Sequence, residues 1–197
     1  MKSNAPWDSP LLRACDLMLA GGALLVGWPL LVVLLGLGWL DTGAPLFRQV
    51  RVGRQGRPFV LYKLRTMRLE TPSVATHLAD PNALTRFGRF LRRTKLDELP
   101  QLWNVIRGEM SLVGPRPCLP NQKELIEARD RLGVLAARPG ITGLAQIRGI
   151  DMSQPQRLAR VDAEMLRDFS LRAYFRYLWL TLRGQGRGDR IRGDGLT

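Results

Sequence analysis

Histidine and cysteine are scarce in this chain of 197 residues, which contains one His and two Cys. One His is too few for a His-rich zinc site or for several catalytic imidazoles, which disfavours zinc and serine hydrolases. Two Cys, at positions 15 and 118, argue against a disulfide framework and favour a reducing compartment. The chain also lacks a Walker-type phosphate loop and a dinucleotide-binding glycine motif after a strand, which disfavours ATPases, kinases and dehydrogenases.

Acidic residues are also few, with 17 Asp and Glu against 30 Lys and Arg, a net charge of +13. The first 44 residues carry two basic and three acidic side chains, so the remaining 153 residues carry +14. A surface this basic suits phosphate groups, anionic lipid or nucleic acid. One alternative is therefore a basic nucleic-acid-binding protein that has no enzymatic activity.

The longest uncharged segment runs from Leu17 to Leu40, which is 24 residues. As a straight helix it would be about 36 Å long, more than the roughly 30 Å of a bilayer's hydrocarbon core. It is too long for the apolar part of a signal peptide, and no cleavage site of small residues follows it. The segment therefore predicts a membrane-inserted helix, for which a nucleic-acid-binding module has no use.

Pro29 lies near the middle of this segment and predicts a kink, because proline removes one helical hydrogen bond. The two arms, Leu17–Trp28 and Leu30–Leu40, are each about 17 Å long and too short to cross alone. Two geometries stay open, a kinked helix that crosses the bilayer and a bent helix that returns to the same face. The basic segment after residue 47 is expected on the cytoplasmic side.

The remaining sequence predicts an α-rich α+β fold, with a membrane-inserted helix at residues 1–44, a small cytoplasmic catalytic domain at 45–183 and a disordered basic tail at 184–197. Residues 41–57 are read as loops around a short extended segment, 111–120 as a rigid loop, and Pro139–Gly140 as a turn. Apolar spacing predicts amphipathic helices, the last of which has aromatic and Arg residues that suit either a membrane interface or packing in the core. The expected strand is Phe59–Lys63, and the expected helices are Leu84–Arg93, Asp97–Ile106, Lys123–Ala137, Gln156–Asp168 and Leu171–Leu182.

Asp97 and Glu98 form an adjacent acidic pair at the expected start of a short helix, directly after a cluster of basic residues. The partial positive charge of a helix start favours anions. Lys and Arg on rigid loops suit phosphate oxygens, and carboxylates beside them suit magnesium binding or attack on phosphorus. The basic residues that accompany the pair are Lys63, Arg65, Arg89, Arg92, Arg93, Lys95 and Arg116, the last of which stands between Pro115 and Pro117.

Five segments together carry a resemblance to a known family. They are Phe47–Gly53 (FRQVRVG), Tyr62–Met67 (YKLRTM), Leu96–Val105 (LDELPQLWNV), Met110–Pro117 (MSLVGPRP) and Pro139–Gln146 (PGITGLAQ). With these segments, the chain resembles the monotopic phosphoglycosyl transferases, or bacterial sugar transferases, over about residues 13–182.

The resemblance implies transfer of a sugar-1-phosphate from a UDP-sugar to a polyprenyl (undecaprenyl) phosphate, as the first membrane step of surface glycan assembly. Asp97 would be the nucleophile and UMP the leaving group, and an aspartyl phosphosugar would form on the enzyme. Glu98 would assist as a base or by orienting the metal site. Mg²⁺ would bind at Asp97 and the diphosphate. The residues implied in substrate binding are Lys63, Arg65, Arg92, Pro115, Arg116, Pro117 and Gln146.

The resemblance also implies a re-entrant helix at the bacterial inner membrane, with the catalytic domain on the cytoplasmic face and no nucleic-acid partner. Residues 142–151 are expected to line a sugar pocket. The chain departs from the family pattern at Trp28–Pro29, where relatives typically have Ser-Pro, and at Gly149–Ile150, where many have Gly-Arg. Many relatives also carry an acid in the last helix near Tyr174. These departures leave a second alternative, an inactive membrane-anchored scaffold.

Overall fold

The computed structural model describes residues 5–71 and 80–186, so most of the expected tail, residues 187–197, lies outside the described residues. Helices dominate and the sheets are small, which confirms the α-rich α+β class. The strands are β1 (Leu46–Val52), β2 (Pro58–Leu64), β3 (Ser111–Val113) and β4 (Gly140–Thr142). The α-helices are α1 (Pro10–Thr42), α2 (Arg86–Thr94), α3 (Gln101–Ile106), α4 (Lys123–Arg131), α5 (Leu144–Ile147), α6 (Pro155–Arg167) and α7 (Leu171–Leu182).

Helix α1 is a single helix of 33 residues that continues through Pro29. The Ser9 side chain caps its start by accepting from the N–H of Leu11. Its end is set by Gly43, whose left-handed backbone (φ 73°) suits glycine and whose N–H donates to the carbonyl of Trp39. The helix begins at Pro10, seven residues before the uncharged segment. The kink at Pro29 stays a prediction.

Both ends of α1 pack against the rest of the protein, while its middle is exposed. Near the start, Leu12, Cys15, Asp16 and Ala20 are buried, and near the end Leu34 and Gly38 are buried. Between them the side chains of Leu25, Val26 and Trp28 are 76%, 81% and 59% exposed. Among the described residues α1 is the one helix that is long and apolar enough to cross a membrane.

Strands β1 and β2 form an antiparallel hairpin, in register from Leu46 opposite Leu64 to Val52 opposite Pro58. The connecting turn places Gln55 and Gly56 in the left-handed region (φ 57° and 73°). The expected strand is thereby confirmed and extended by one residue at each end. The extended segment expected within residues 41–57 is the seven-residue strand β1.

Strands β3 and β4 form a short parallel pair, with Ser111 opposite Gly140 and Val113 opposite Thr142. The interpretations of 111–120 as loop throughout and of Pro139–Gly140 as a turn were therefore wrong at these strands. Three-residue strands show no readable alternation, and their pairing joins segments about thirty residues apart. Gly140 allows the close approach, because a Cβ there would overlap the backbone of Gly114.

Two predicted helices had wrong boundaries. The helix expected at Asp97–Ile106 begins at Gln101, because residues 96–98 form a separate 3₁₀ turn and Pro100 occupies the cap position of α3. The helix expected at Lys123–Ala137 ends at Arg131, because the chain turns at Gly133 (φ 70°). The other three agree with α2, α6 and α7 to within two residues at each end.

Three apolar clusters place these elements. The largest packs the first turns of α1 against α3, β3 and α7, and a second joins α4, α5 and α6. The third contains Leu34 of α1, Leu64 of β2 and Leu91 of α2. At the start of the expected tail, the Gln185 carbonyl accepts from the ammonium group of Lys95 at 3.1 Å.

Candidate active site

Asp97 lies in the 3₁₀ turn Leu96–Glu98 between α2 and α3. Lys95 ends α2 in the left-handed conformation (φ 59°), which reverses the chain directly before the acidic pair. Leu96 and Leu99 pack against the third apolar cluster and so hold both sides of the turn. The pair therefore stands in a tight turn rather than in the first turn of an α-helix.

The carboxyl group of Asp97 is buried, with 7% of the residue exposed. Its pKa is raised from 3.8 to about 7, first because burial disfavours the charged form and then because Glu98 is a neighbouring acid. The positive charges of Lys63, Arg92 and Arg116 lower the pKa and offset part of this effect. Asp97 is thus a carboxyl group close to its own midpoint near neutral pH and surrounded by three cations.

Glu98 forms an ion pair with Arg116, whose Nη2 lies 3.1 Å from Oε1 of Glu98. Both side chains are partly exposed, at 15% and 21%. Arg116 comes from the Pro-rich loop after β3, so this contact joins that loop to the acidic turn. Glu98 therefore holds the guanidinium of Arg116 next to the acidic turn.

Lys63 and Arg92 approach Asp97 from two further elements, β2 and α2. The Lys63 ammonium lies 5.4 Å from the centre of the Phe47 ring on the paired strand. The Arg92 Nε donates to the hydroxyl of Thr66 at 3.0 Å. Helix α2 lies so close to residue 66 that a Cβ at Gly88 would overlap the Thr66 backbone.

These side chains line one cavity of about 430 Å³. Six charged residues of the lining lie at or near Asp97 in the sequence or in its electrostatic surroundings, and we call this part of the cavity its charged end; they are Lys63, Arg92, Lys95, Asp97, Glu98 and Arg116. Most of the remaining lining comes from β4, α5 and the segment that follows them, and it includes Thr142, Ala145, Gln146, Ile147, Arg148, Gly149, Ile150, Asp151 and Met152. Eight of the ten residues 142–151 line this cavity, and that it holds a sugar stays a prediction.

Three residues assigned to substrate binding do not line this cavity. Arg65 donates from Nε to the carbonyl of Ala44 at 2.8 Å and lies over the Phe47 ring, so it braces the hairpin base. Pro115 accepts from the N–H of Gly140, and Pro117 accepts from Arg51. These prolines fix the backbone on both sides of Arg116, whose side chain does line the cavity.

The donor atoms at the charged end suit a magnesium ion that is shared with a substrate. In the described part of the chain, no group of three or more His, Cys, Asp or Glu could hold a metal ion. Mg²⁺ characteristically binds one or two carboxylates, with waters and substrate phosphates completing its shell. The adjacent carboxylates of Asp97 and Glu98 fit that mode, and they do not form an all-protein cage.

Residues 7–186 match the family model described as bacterial sugar transferase. The chain belongs to the bacterial sugar transferase family. A UDP-glucose:undecaprenyl-phosphate glucose-1-phosphate transferase of Caulobacter vibrioides is 47% identical over 61% of this chain and 47% of that protein. A UDP-galactose-lipid carrier transferase of Erwinia amylovora is 38% identical over 82% of this chain and 37% of that protein.

Some relatives are closer to this chain in length. An uncharacterized sugar transferase of Bacillus subtilis is 41% identical over 73% of this chain and 71% of that protein. Against the two transferases above, however, the chain spans only about a third to a half of the relative's length. Membership of a sugar transferase family favours the enzyme interpretation over the nucleic-acid-binding alternative.

The structure adds cavity residues of this bacterial sugar transferase that sequence reasoning did not assign. Lys95 belonged to the recognised basic cluster, but its place in the cavity depends on the left-handed turn that it adopts. Thr181 of α7 also lines the cavity, and its hydroxyl lies 2.6 Å from that of Thr142. No sequence signal marks Thr181, because α7 meets β4 only in the folded chain.

Proposed function

We propose that the protein transfers a sugar-1-phosphate from a UDP-sugar to a polyprenyl phosphate, with Asp97 as nucleophile. The observation that carries the proposal is the buried Asp97 carboxyl at the charged end of the cavity, within the influence of Lys63, Arg92 and Arg116. The functions of the relatives from C. vibrioides and E. amylovora support the substrate classes.

The covalent step starts with a carboxylate oxygen of Asp97 attacking the phosphorus that bears the sugar. The bond from that phosphorus to the bridging oxygen of the diphosphate breaks, and UMP leaves with the bonding electrons. An aspartyl phosphosugar remains on the protein. A phosphate oxygen of the polyprenyl phosphate then attacks the same phosphorus, which forms the lipid diphosphate sugar and restores the Asp97 carboxylate.

The cations of the cavity make an attack by one anion on another feasible. Lys63, Arg92 and Arg116 can neutralise the diphosphate oxygens, and Arg can do so through two parallel hydrogen bonds. Their charges also favour the ionised form of Asp97, which is the form that can attack. Glu98 holds Arg116 in reach of the donor through their ion pair.

Mg²⁺ is the proposed cofactor, held by Asp97 with Glu98 beside it. When bound it would supply positive charge that offsets repulsion between carboxylate and diphosphate. Since both carboxylates border the same charged end of the cavity, the donor diphosphate can complete the coordination shell.

We place α1 in the cytoplasmic membrane as a re-entrant helix, with the catalytic domain at the cytoplasmic face. A full crossing between Leu17 and Leu40 would put Asp16 and Asp41 at opposite faces of the bilayer. Asp16, however, bonds to β3 and α7, while Gly38 packs against Pro45 and Phe87. Because both ends of α1 contact the same catalytic domain, we favour a helix that returns to the membrane face from which it entered.

The nucleophile can be tested by trapping. Protein incubated with Mg²⁺ and UDP-sugars labelled in the sugar, without lipid acceptor, should retain label on the peptide that contains Asp97. Asp97→Asn should abolish both labelling and UMP release. The matched control is Asp151→Asn, which makes the same change at another carboxyl of the cavity and should still accept label at residue 97. Wild-type turnover in Asp97→Asn would refute the assignment, and a wild-type protein that releases no UMP from any UDP-sugar would favour the inactive scaffold.

A further inference from the structure

The backbone of the Pro115–Cys118 loop is held through its carbonyl oxygens. Its two prolines have no N–H to donate, so the carbonyls carry much of its hydrogen bonding. Each of the four carbonyls accepts from a different residue. The donors are Gly140 N–H for Pro115 (2.9 Å), Arg129 Nη1 for Arg116 (2.8 Å), Arg51 Nη1 for Pro117 (3.0 Å) and Val52 N–H for Cys118 (2.9 Å).

Arg129 of α4 is the residue that donates to the backbone carbonyl of the cavity residue Arg116. Its guanidinium is buried, with 3% of the residue exposed. Nε and Nη2 both donate to Oδ2 of Asp162 on α6, at 3.0 and 2.7 Å, and Nη1 donates to the carbonyl of Arg116. The guanidinium group thus binds the buried carboxylate of Asp162 through Nε and Nη2, and the loop backbone through Nη1.

Stability alone does not explain this buried pair. Replacing a buried ion pair with well-packed apolar residues is often neutral or stabilising, because two charges no longer lose their hydration. An apolar pair, however, could not donate a hydrogen bond to the Arg116 carbonyl. Hydrogen bonds from a charged donor are also about twice as strong as those between neutral groups.

The same residue that receives this bond acts in the cavity. The Arg116 side chain pairs with Glu98 and lines the charged end beside Asp97. A shift of this backbone would move the guanidinium away from the place where a donor phosphate must sit, which would weaken its charge-assisted hydrogen bonds to the donor. We propose that Arg129, oriented by Asp162, is a positioning residue that sets where Arg116 meets the donor phosphates.

This inference rests on the proposed function for its kinetic consequence, but the loop can be examined independently. The double variant Arg129→Met with Asp162→Leu removes both buried charges together and leaves neither unpaired. We expect it to fold and to show a KM for the UDP-sugar raised about tenfold, with kcat within about threefold of wild type. A role in folding alone would lower the active fraction, and hence apparent kcat, without changing KM.

Amide exchange provides the readout that does not require catalysis. The N–H groups of Gly140 and Val52 donate to the first and last carbonyls of the loop. We expect both to exchange at least several-fold faster in the double variant, while amides of α7 exchange at the wild-type rate. The control is Arg167→Gln with Asp168→Asn, which removes an exposed Arg–Asp pair at the end of α6 and should change neither KM nor these exchange rates.

The variant Arg129→Lys covers the case in which the double variant fails to fold. Lysine keeps the charge beside Asp162 but cannot serve both partners through a planar fork. We expect it to fold and to raise KM at least threefold. A wild-type KM in either folded variant overturns the inference. If the wild type releases no UMP, the proposed function fails, and unchanged exchange at Gly140 and Val52 would then overturn the positioning role separately.

Discussion

Replacing Asp97 with Asn should make the protein more stable at alkaline pH, and the gain should grow as pH rises from 5 to 8. The pKa of Asp97 is raised in the folded state from 3.8 to about 7. Below pH 4 the group is protonated in both states. Between these two pKa values the unfolded chain releases the proton and the folded protein keeps it, so rising pH favours unfolding.

The size of the effect follows from the two pKa values. A difference of about three pKa units corresponds to roughly 4 kcal/mol, at 1.36 kcal/mol per unit, once pH exceeds both values. Somewhat less than half of this is already present at pH 5, so the remaining change between pH 5 and pH 8 is roughly 2–3 kcal/mol. For a chain of this size that corresponds to a relative Tm shift of about 5–10 °C.

The assay is thermal unfolding of detergent-purified wild type and Asp97→Asn in the absence of divalent cations and nucleotide. We expect the Tm difference between the two proteins to widen steadily from pH 5 to pH 8. In Glu98→Gln the pH dependence of Tm should shift to lower pH than in wild type, because Glu98 is one of the two causes that raise the pKa of Asp97. Parallel Tm curves for wild type and Asp97→Asn over this range would refute the raised pKa and the burial argument behind it.

Two further substitutions examine how the fold supports this site. Gly88→Ala should lower the unfolding free energy by about 1–3 kcal/mol and reduce UMP release, because the new Cβ would push α2 away from Thr66. The matched control is Gly36→Ala, because a Cβ at Gly36 would meet open space. Equal effects of the two substitutions would contradict the explanation. Tyr174→Phe should cost about 1.5–3 kcal/mol, because its hydroxyl donates to Asp16 at 2.9 Å in the interior. Unfolding measurements that show no loss in Tyr174→Phe would mean that this bond does not hold α1 in place.

Local signals predicted the parts of this structure that local chemistry determines. Helices α6 and α7 have apolar spacing that survives in the fold, and the acidic pair is recognisable from adjacent letters of the sequence. Cations near Asp97 could also be anticipated, because Arg92 is close in sequence and Lys63 and Arg116 lie in basic or rigid segments. What local patterns cannot supply is the direction in which each side chain points.

Arg65 and Lys95 show this limit most clearly. Both belong to recognisable basic segments, yet Arg65 bonds to Ala44 at the hairpin base, while Lys95 lines the cavity. Arg65 directly follows the last residue of β2, and strand alternation would put residues 63 and 65 on the same face, so the sequence pattern does not separate them. The contribution of Lys95 depends on a positive φ that a lysine adopts rarely. The Arg129–Asp162 pair was not predicted either, because its two residues are 33 positions apart in the sequence and lie on different helices.

The apolar packing around the acidic turn links the proposed chemistry to the membrane. Leu34 of α1 lies in the same cluster as Leu64 and Leu91, and Leu96 and Leu99 pack against that cluster on either side of the acidic pair. A change in the position of the C-terminal part of α1, which contains Leu34, must therefore disturb the turn that carries Asp97. If α1 lies in the bilayer as proposed, these contacts fix the depth of the nucleophile relative to the lipid surface. A polyprenyl phosphate held at that surface could then present its phosphate to Asp97 without leaving the membrane.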